Sequence, residues 1–136
     1  METHTFKEDI KVFCVTATSF PDGVKAAHEN LHSILPYSTN RMYFGISYPD
    51  PSGQIIYRAA ANALENDDMG QSELEQFVIP QGQYLSRMIP DFMKNIQAIG
   101  DTFKQLIADP RIDPKGFCLE WYKNDKDCQC LVKLAD

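Results

Sequence analysis

Twice in 136 residues the sequence runs strand, helix, strand, strand. In the first half, "IKVFCVTAT" (10–18) is rich in β-formers. "PDGVKAAHENLHSIL" follows, with apolar residues at Val24, Ala27, Leu31, Ile34 and Leu35, a helical spacing. "RMYFGISY" and "QIIYRAAANAL" then read as strands split by the turn-rich "PDPSG". In the second half, "LEQFVIPQGQYLSRM" reads as a strand bent at Pro80-Gln81-Gly82. "PDFMKNIQAIGDTFKQLIADP" carries a stripe from Phe92 through Met93, Ile96, Ile99 and Phe103 to Leu106 and Ile107. "GFCLEWYK" and "DCQCLVKLA" close as a hairpin. Even the helix openings match, "PDGVK" against "PDFMK". The expectation is an α+β fold of one domain, residues 1–136, built from a duplicated βαββ unit at about 10–64 and 75–135. Both helices are expected on one face of an antiparallel sheet, with a ligand groove on the other. The acidic stretch "ENDDMGQSE" (65–73) reads as the linker.

Composition narrows the function classes. A net charge of −6 disfavours direct nucleic-acid binding, because phosphates repel it. No apolar run approaches the ~18 residues of a membrane span. The polar start "METHTFKEDI" carries no secretory pattern, so a cytoplasmic protein with reduced Cys14, Cys118, Cys128 and Cys130 is expected. His4 falls in this polar segment, read as mobile.

"HENLH", His28 to His32, matches the short motif of zinc peptidases, in which two imidazoles on one helix face share a metal. A catalytic zinc also needs a third protein ligand and an open position. His4 is the sole further histidine, and the downstream glutamates Glu65, Glu73 and Glu75 lie in or near the linker. The motif is therefore read as part of an amphipathic helix, with His28 at the edge of its apolar stripe and His32 near solvent. Cys128-Gln129-Cys130 puts two thiols on one strand face, a spacing unlike the paired knuckles of zinc ribbons. Neither a metal nor a cofactor is expected.

"FCLEWY" (117–122) is the stretch that fits a plain core least. Strand alternation puts Phe117, Leu119 and Trp121 on one face and Cys118, Glu120 and Tyr122 on the other. Both faces are apolar or aromatic, and a carboxylate there is costly to bury without a partner or water. One account is an ion pair with Arg58 or Lys133, or exposure on the open face. The other is a carboxylate at the floor of an aromatic pocket that takes a cationic or hydrogen-bonding ligand. Laying "FGISY" on "LEWYK" sets Gly45 where Glu120 stands, and a glycine there leaves space for a ligand.

With these residues in view, the chain resembles the GyrI-like small-molecule-binding domains, the effector-binding domains of bacterial transcription activators. The resemblance runs from about Lys11 to Leu134 and rests on "YFGISYPDPSG", "FVIPQGQYLSR" and "CLEWY". It implies a duplicated βαββ fold and a cleft in which Glu120 meets the ligand. It also implies aromatic walls from Tyr84, Tyr43 and Tyr57, beside Gly45, with Tyr122 on the face of Glu120. Relatives often carry a His-x-Gly stretch after the bend, where this chain has "SRMIPDF". With no space for a helix-turn-helix region, a stand-alone binding protein is expected, with a small-molecule ligand and either a protein partner or a homodimer.

Two function classes stay open. The first is a non-enzymatic effector-binding module for a hydrophobic, in its sharper form cationic, molecule. The second is a hydrolase of a reactive small molecule, with Glu120 and Tyr57 or Tyr84 as its acid/base pair.

Overall fold

The computed structural model describes residues 2–64, 74–124 and 126–135. The segment read as a linker lies outside them. The described residues run β1 (Glu2–Phe6), β2 (Ile10–Thr16), α1 (Val24–Ile34), β3 (Tyr43–Pro49) and β4 (Ile55–Asn62). Then come β5 (Glu75–Ile79), β6 (Gly82–Ile89), a 3₁₀ turn (Phe92–Lys94), α2 (Gln97–Ile107), β7 (Cys118–Tyr122) and β8 (Cys128–Lys133). The strands form one antiparallel sheet in the order β1-β6-β8-β7-β3-β4-β2-β5. This is the expected α+β architecture.

The two halves meet edge to edge at the centre of the sheet, where β3 pairs with β7 and Gly45 stands directly opposite Glu120. Each half also gains a strand from the other. β5 pairs with β2, and β1 pairs with β6. Pro80 is the hinge of this exchange. It interrupts the run read as one bent strand, so β5 and β6 leave it with different partners.

The N-terminal segment read as mobile is strand β1. Its alternation turns His4 and Phe6 to the same side, where Phe6 meets Tyr84 at 5.2 Å and Trp121 at 5.6 Å between ring centroids. Burial of that one ring against two others is what holds the edge down.

The sheet has two unlike faces. One face curls around its own side chains: Phe6, Val12, Phe44, Ile46, Tyr84, Leu119 and Leu131 form a single buried cluster, flanked by Phe77, Phe117 and Trp121. The other face carries both helices. α1 buries Ala27 and Leu31 against Phe13, Ala59 and Ala61, small residues that let the helix approach. α2 buries Phe103 and Leu106 against Leu85, Ile89, Cys130 and Val132. The helices therefore share one face, as expected, but the groove does not occupy the opposite face. That face is filled by aromatic rings, and the open strip lies between the helices, over β3 and β7.

The second helix is shorter than its apolar stripe. Asp91 takes a left-handed conformation (φ 50°) and a 3₁₀ turn follows, so α2 begins only at Gln97. Met93 and Ile96 consequently line the groove and not the core, 64% and 60% exposed, while Phe92 lines the groove and also packs against the cluster under α2.

The strand exchange generates a prediction. Phe6→Ala should destabilise the protein by about 3–5 kcal/mol, the usual cost of emptying a buried phenylalanine site. Urea unfolding of the two proteins reads it directly. A loss below about 1 kcal/mol would mean that β1 adds nothing to the core.

Candidate functional site

The groove between the helices has a volume of about 960 Å³, at the upper end of small-molecule sites. Its floor is the face of β3, β4 and β7 that carries Tyr43, Tyr57, Glu120 and Tyr122, four of the residues singled out in the sequence. One wall is α1 with the segment before it: Phe20, Val24, His28 and His32. The other is the 3₁₀ turn and α2: Phe92, Met93, Ile96 and Ile99.

A chain of hydrogen bonds crosses the floor. Tyr122 Oη donates a short bond to Glu120 Oε1. Tyr57 Oη lies 2.9 Å from Tyr122 Oη, and His28 Nε2 lies 2.8 Å from Tyr57 Oη. The four groups come from three elements: β7, β4 and α1. Strand alternation aims both tyrosines and the carboxyl at the same side, and the position of His28 on α1 brings its ring down onto Tyr57 and Tyr122, with centroids 5.8 and 5.4 Å away.

Gly45 is what admits Tyr57. A Cβ at Gly45 would collide with the Tyr57 hydroxyl and stand 2.8 Å from its Cζ. The space that a glycine was expected to leave for a ligand is therefore filled by the Tyr57 ring, which is 1% exposed.

Tyr84 stands apart from the others. On β6 it is Leu85 that faces α2, so Tyr84 points to the curled face, where its hydroxyl donates to the Pro80 carbonyl at 2.7 Å. Arg58 and Lys133 alternate onto that same far side. Arg58 lies 3.6 Å from Glu75, and Lys133 lies over the Tyr84 ring at 5.9 Å. Neither reaches Glu120, so the ion-pair account of that carboxylate fails.

The electrostatics follow from burial. Desolvation raises the Glu120 pKa above the usual carboxylate range, only partly offset by the hydroxyls of Tyr122 and Tyr57. Burial also pushes Tyr57 and Tyr122 up, and the Glu120 charge pushes them further. His28 is lowered to about 4, first by burial and then by neighbouring His32.

His28 is the functional residue that the sequence reading placed on the margin. The i, i+4 pair on α1 was the signal, but the motif pointed to a metal. In the structure His28 turns to Tyr57, while His32 packs against both Tyr37 and Tyr43, whose rings stack on each other 5.1 Å apart. Among the described residues no cluster of three His, Cys, Asp or Glu side chains stands at metal-binding spacing.

No family model matches this sequence, and no curated protein resembles it in sequence. Solved structures share its fold. An integron cassette protein from the mobile metagenome of Vibrio cholerae superposes with a TM-score of 0.74 at 13% identity, over 98% of this chain and 95% of that one. The protein SAV2435, solved bound to tetraphenylphosphonium, superposes with a TM-score of 0.66 at 6% identity, over 98% of this chain and 93% of that one.

Two predictions rest on the floor. Gly45→Ala should cost about 1–3 kcal/mol, as overpacking does, and should displace Tyr57 from Tyr122. Chemical denaturation measures the first, and a shifted near-ultraviolet tyrosine signal the second. An alanine variant as stable as wild type would contradict the contact.

The second concerns pH. The folded state prefers neutral His28, so its contribution is complete above its ordinary value of 6.5 and is lost as pH falls through about 4. The lowering amounts to about 3 kcal/mol in order of magnitude. Glu120 acts in the opposite sense: its contribution is present in acid and is lost as pH rises through its raised folded pKa. Urea unfolding of wild type and His28→Gln between pH 7 and about 4 separates the two groups. The variant should lose clearly less stability on acidification, and parallel curves would refute the assignment.

Proposed function

We propose that the groove binds a hydrophobic organic cation, with Glu120 as the counter-charge and the rings of Phe20, Phe92, Tyr43 and Tyr122 as its walls. One observation carries the reading. A carboxyl group sits at the floor of a large apolar groove with tyrosine hydroxyls as its hydrogen-bond partners, and no described cation pairs with it. A bound cation supplies the positive charge that no side chain on the floor provides, and aromatic faces favour it further, by about 0.5–2 kcal/mol each.

The rim does carry basic residues, Lys25, Arg41 and Lys123. Two of them are engaged elsewhere. Arg41 donates to the Asn62 carbonyl at 3.0 Å, and the Lys123 ammonium lies 3.2 Å from the Trp121 ring centroid. Asp22 stands on the same rim as Lys25. The floor, not the rim, therefore sets the preferred ligand charge.

Two further points support the reading. The fold is shared with a protein solved with tetraphenylphosphonium, itself a bulky aromatic cation. The motifs "YFGISYPDPSG" and "CLEWY" resemble those of GyrI-like effector-binding domains. On that resemblance the chain is a cytoplasmic multidrug-type sensor that acts on transcription through a partner protein and not through DNA contacts of its own.

A second reading has its own observation. Glu120, Tyr122, Tyr57 and His28 form a connected set of proton donors and acceptors, which is what an acid/base hydrolase of a reactive small molecule needs. Turnover of an electrophilic substrate by the pure protein would establish it.

The test of the binding reading is a charge-for-shape comparison. Glu120→Gln keeps the side-chain volume and removes the charge. It should weaken tetraphenylphosphonium about tenfold or more, the equivalent of about 1.4 kcal/mol, a modest share of a partly buried charge interaction. Triphenylphosphine oxide, bulky and neutral, should change much less. Folding should survive, because the variant no longer carries a buried ionisable group. Calorimetric titration measures both ligands. Equal binding of both by the two proteins would remove Glu120 from the site.

A further inference from the structure

We propose that capture of a cation at Glu120 expels one proton and switches His28 from its Nδ1–H to its Nε2–H tautomer, the change passing through the hydroxyls of Tyr122 and Tyr57. This rests on the cation reading above and assigns its regulation: the site exchanges a proton for a cation, and α1 senses which is present.

The direction of the hydrogen bonds carries the argument. Each tyrosine hydroxyl has one proton to give. With Glu120 ionised, Tyr122 must donate to the carboxylate. Tyr57 must then donate to Tyr122, 2.9 Å away, or to the carboxylate beside it. Its proton is spent, so at 2.8 Å it can only accept from His28, whose Nε2 must carry the hydrogen. With Glu120 protonated, the chain reverses. The carboxyl donates to Tyr122, Tyr122 donates to Tyr57, and Tyr57 donates to a bare Nε2, so the hydrogen of neutral His28 sits on Nδ1.

The balance is simple. Between the two states Glu120 loses one proton, each tyrosine gives one and takes one, and His28 gains a hydrogen at Nε2 and loses one at Nδ1. One proton leaves for solvent, and the bound cation replaces its charge. His28 is neutral in both states.

The surroundings favour this exchange. Around the carboxyl, β8 contributes the Cys128 and Cys130 thiols, and β7 itself contributes Cys118. Burial pushes Cys118 up to about 11, and a hydrogen bond with Cys130 together with burial pushes Cys128 higher still, so neither is a competing proton source. α1 presents His32 next to His28, and the rim presents Asp22, Lys25 and Lys123. The wall formed by α2 and the 3₁₀ turn is apolar: Phe92, Met93, Ile96, Ile99 and Phe103. Burial favours the neutral carboxyl in the free protein and neutral His28 throughout. The titrating member of the chain is therefore Glu120.

The experiment uses the whole protein, labelled with nitrogen-15 and with carbon-13 at glutamate carboxyls, and tetraphenylphosphonium as the probe. Carboxyl shifts locate the pH at which Glu120 titrates, and measurements are made just below it. Calorimetry in two buffers of different ionisation enthalpy counts protons. Long-range proton–nitrogen spectra read the His28 tautomer. Wild type should release about one proton per cation and move its His28 hydrogen to Nε2. Tyr57→Phe cuts the chain: whatever its cation affinity, cation saturation and the accompanying proton release should leave His28 unmoved. Binding without proton release, or with His28 unchanged, overturns the proposal and leaves the cation reading standing. A His28 switch that persists in Tyr57→Phe also overturns it. Absence of any binding signal from wild type defeats the cation reading and the exchange with it. Should Tyr57→Phe not fold, the ligand-free wild type supplies the test. Without ligand, the wild-type His28 tautomer must change at the pH where the Glu120 carboxyl titrates, and a switch at any other pH sinks the idea.

Discussion

A carboxyl group in the middle of a sheet face, under the gap between two helices, is the constraint on which the rest of this protein turns. Glu120 cannot be covered by an apolar helix without losing its hydrogen bonds, and it cannot stand in open water because its strand is central. The structure resolves this with hydroxyl groups. Tyr122 meets the carboxyl from the same strand, Tyr57 meets Tyr122 from β4, and His28 closes the chain from α1. Each link needs the one before it. The whole chain needs Gly45, because any side chain there would occupy the place of the Tyr57 ring.

The repeated architecture makes this site asymmetric in a useful way. β3 and β7 are counterparts in their halves and pair with each other, so Gly45 and Glu120 face across the join. One half contributes the glycine that admits the Tyr57 ring and the other the carboxyl. The helices differ likewise. α1 supplies imidazoles and aromatic neighbours, whereas α2 and its leading turn supply Met93, Ile96 and Ile99. The groove thus has one wall of imidazoles and aromatic rings, one apolar wall that includes Phe92 and Phe103, and a floor with one carboxyl.

The opposite face explains why the groove lies where it does. Aromatic rings at Phe6, Phe44, Phe77, Tyr84, Phe117 and Trp121 fill the inside of the curl. A sheet that encloses its own side chains on one face has no space there for a ligand. Its helices, each wide enough for only two or three strands, leave the centre of the other face open. The same packing draws β1 into the sheet and swings Tyr84 away from Glu120.

The βαββ order of each half, the helix faces of Leu31 and Leu106 and the alternation in "FCLEWY" were legible in the residue pattern, because periodicity alone decides which side chains share a face, whereas strand β1 and the division at Pro80 were not. That pattern also singled out Glu120, since a lone carboxylate among apolar neighbours is costly wherever the strand lies. It grouped Tyr122 with it, the resemblance to GyrI-like domains added Tyr43 and Tyr57, and the fold brings all three to the groove. Tyr84 and His28 went the other way. Alternation gives each residue a side of its own strand, but only the pairing and curl of the sheet decide which side becomes core and which becomes groove. Whether His28 meets a metal, water or a tyrosine depends on how α1 docks over Ala59 and Ala61, a contact between residues about thirty positions apart. Local pattern supplied the parts and their faces. Long-range packing alone decided that a histidine, two tyrosines and a glutamate should form one chain.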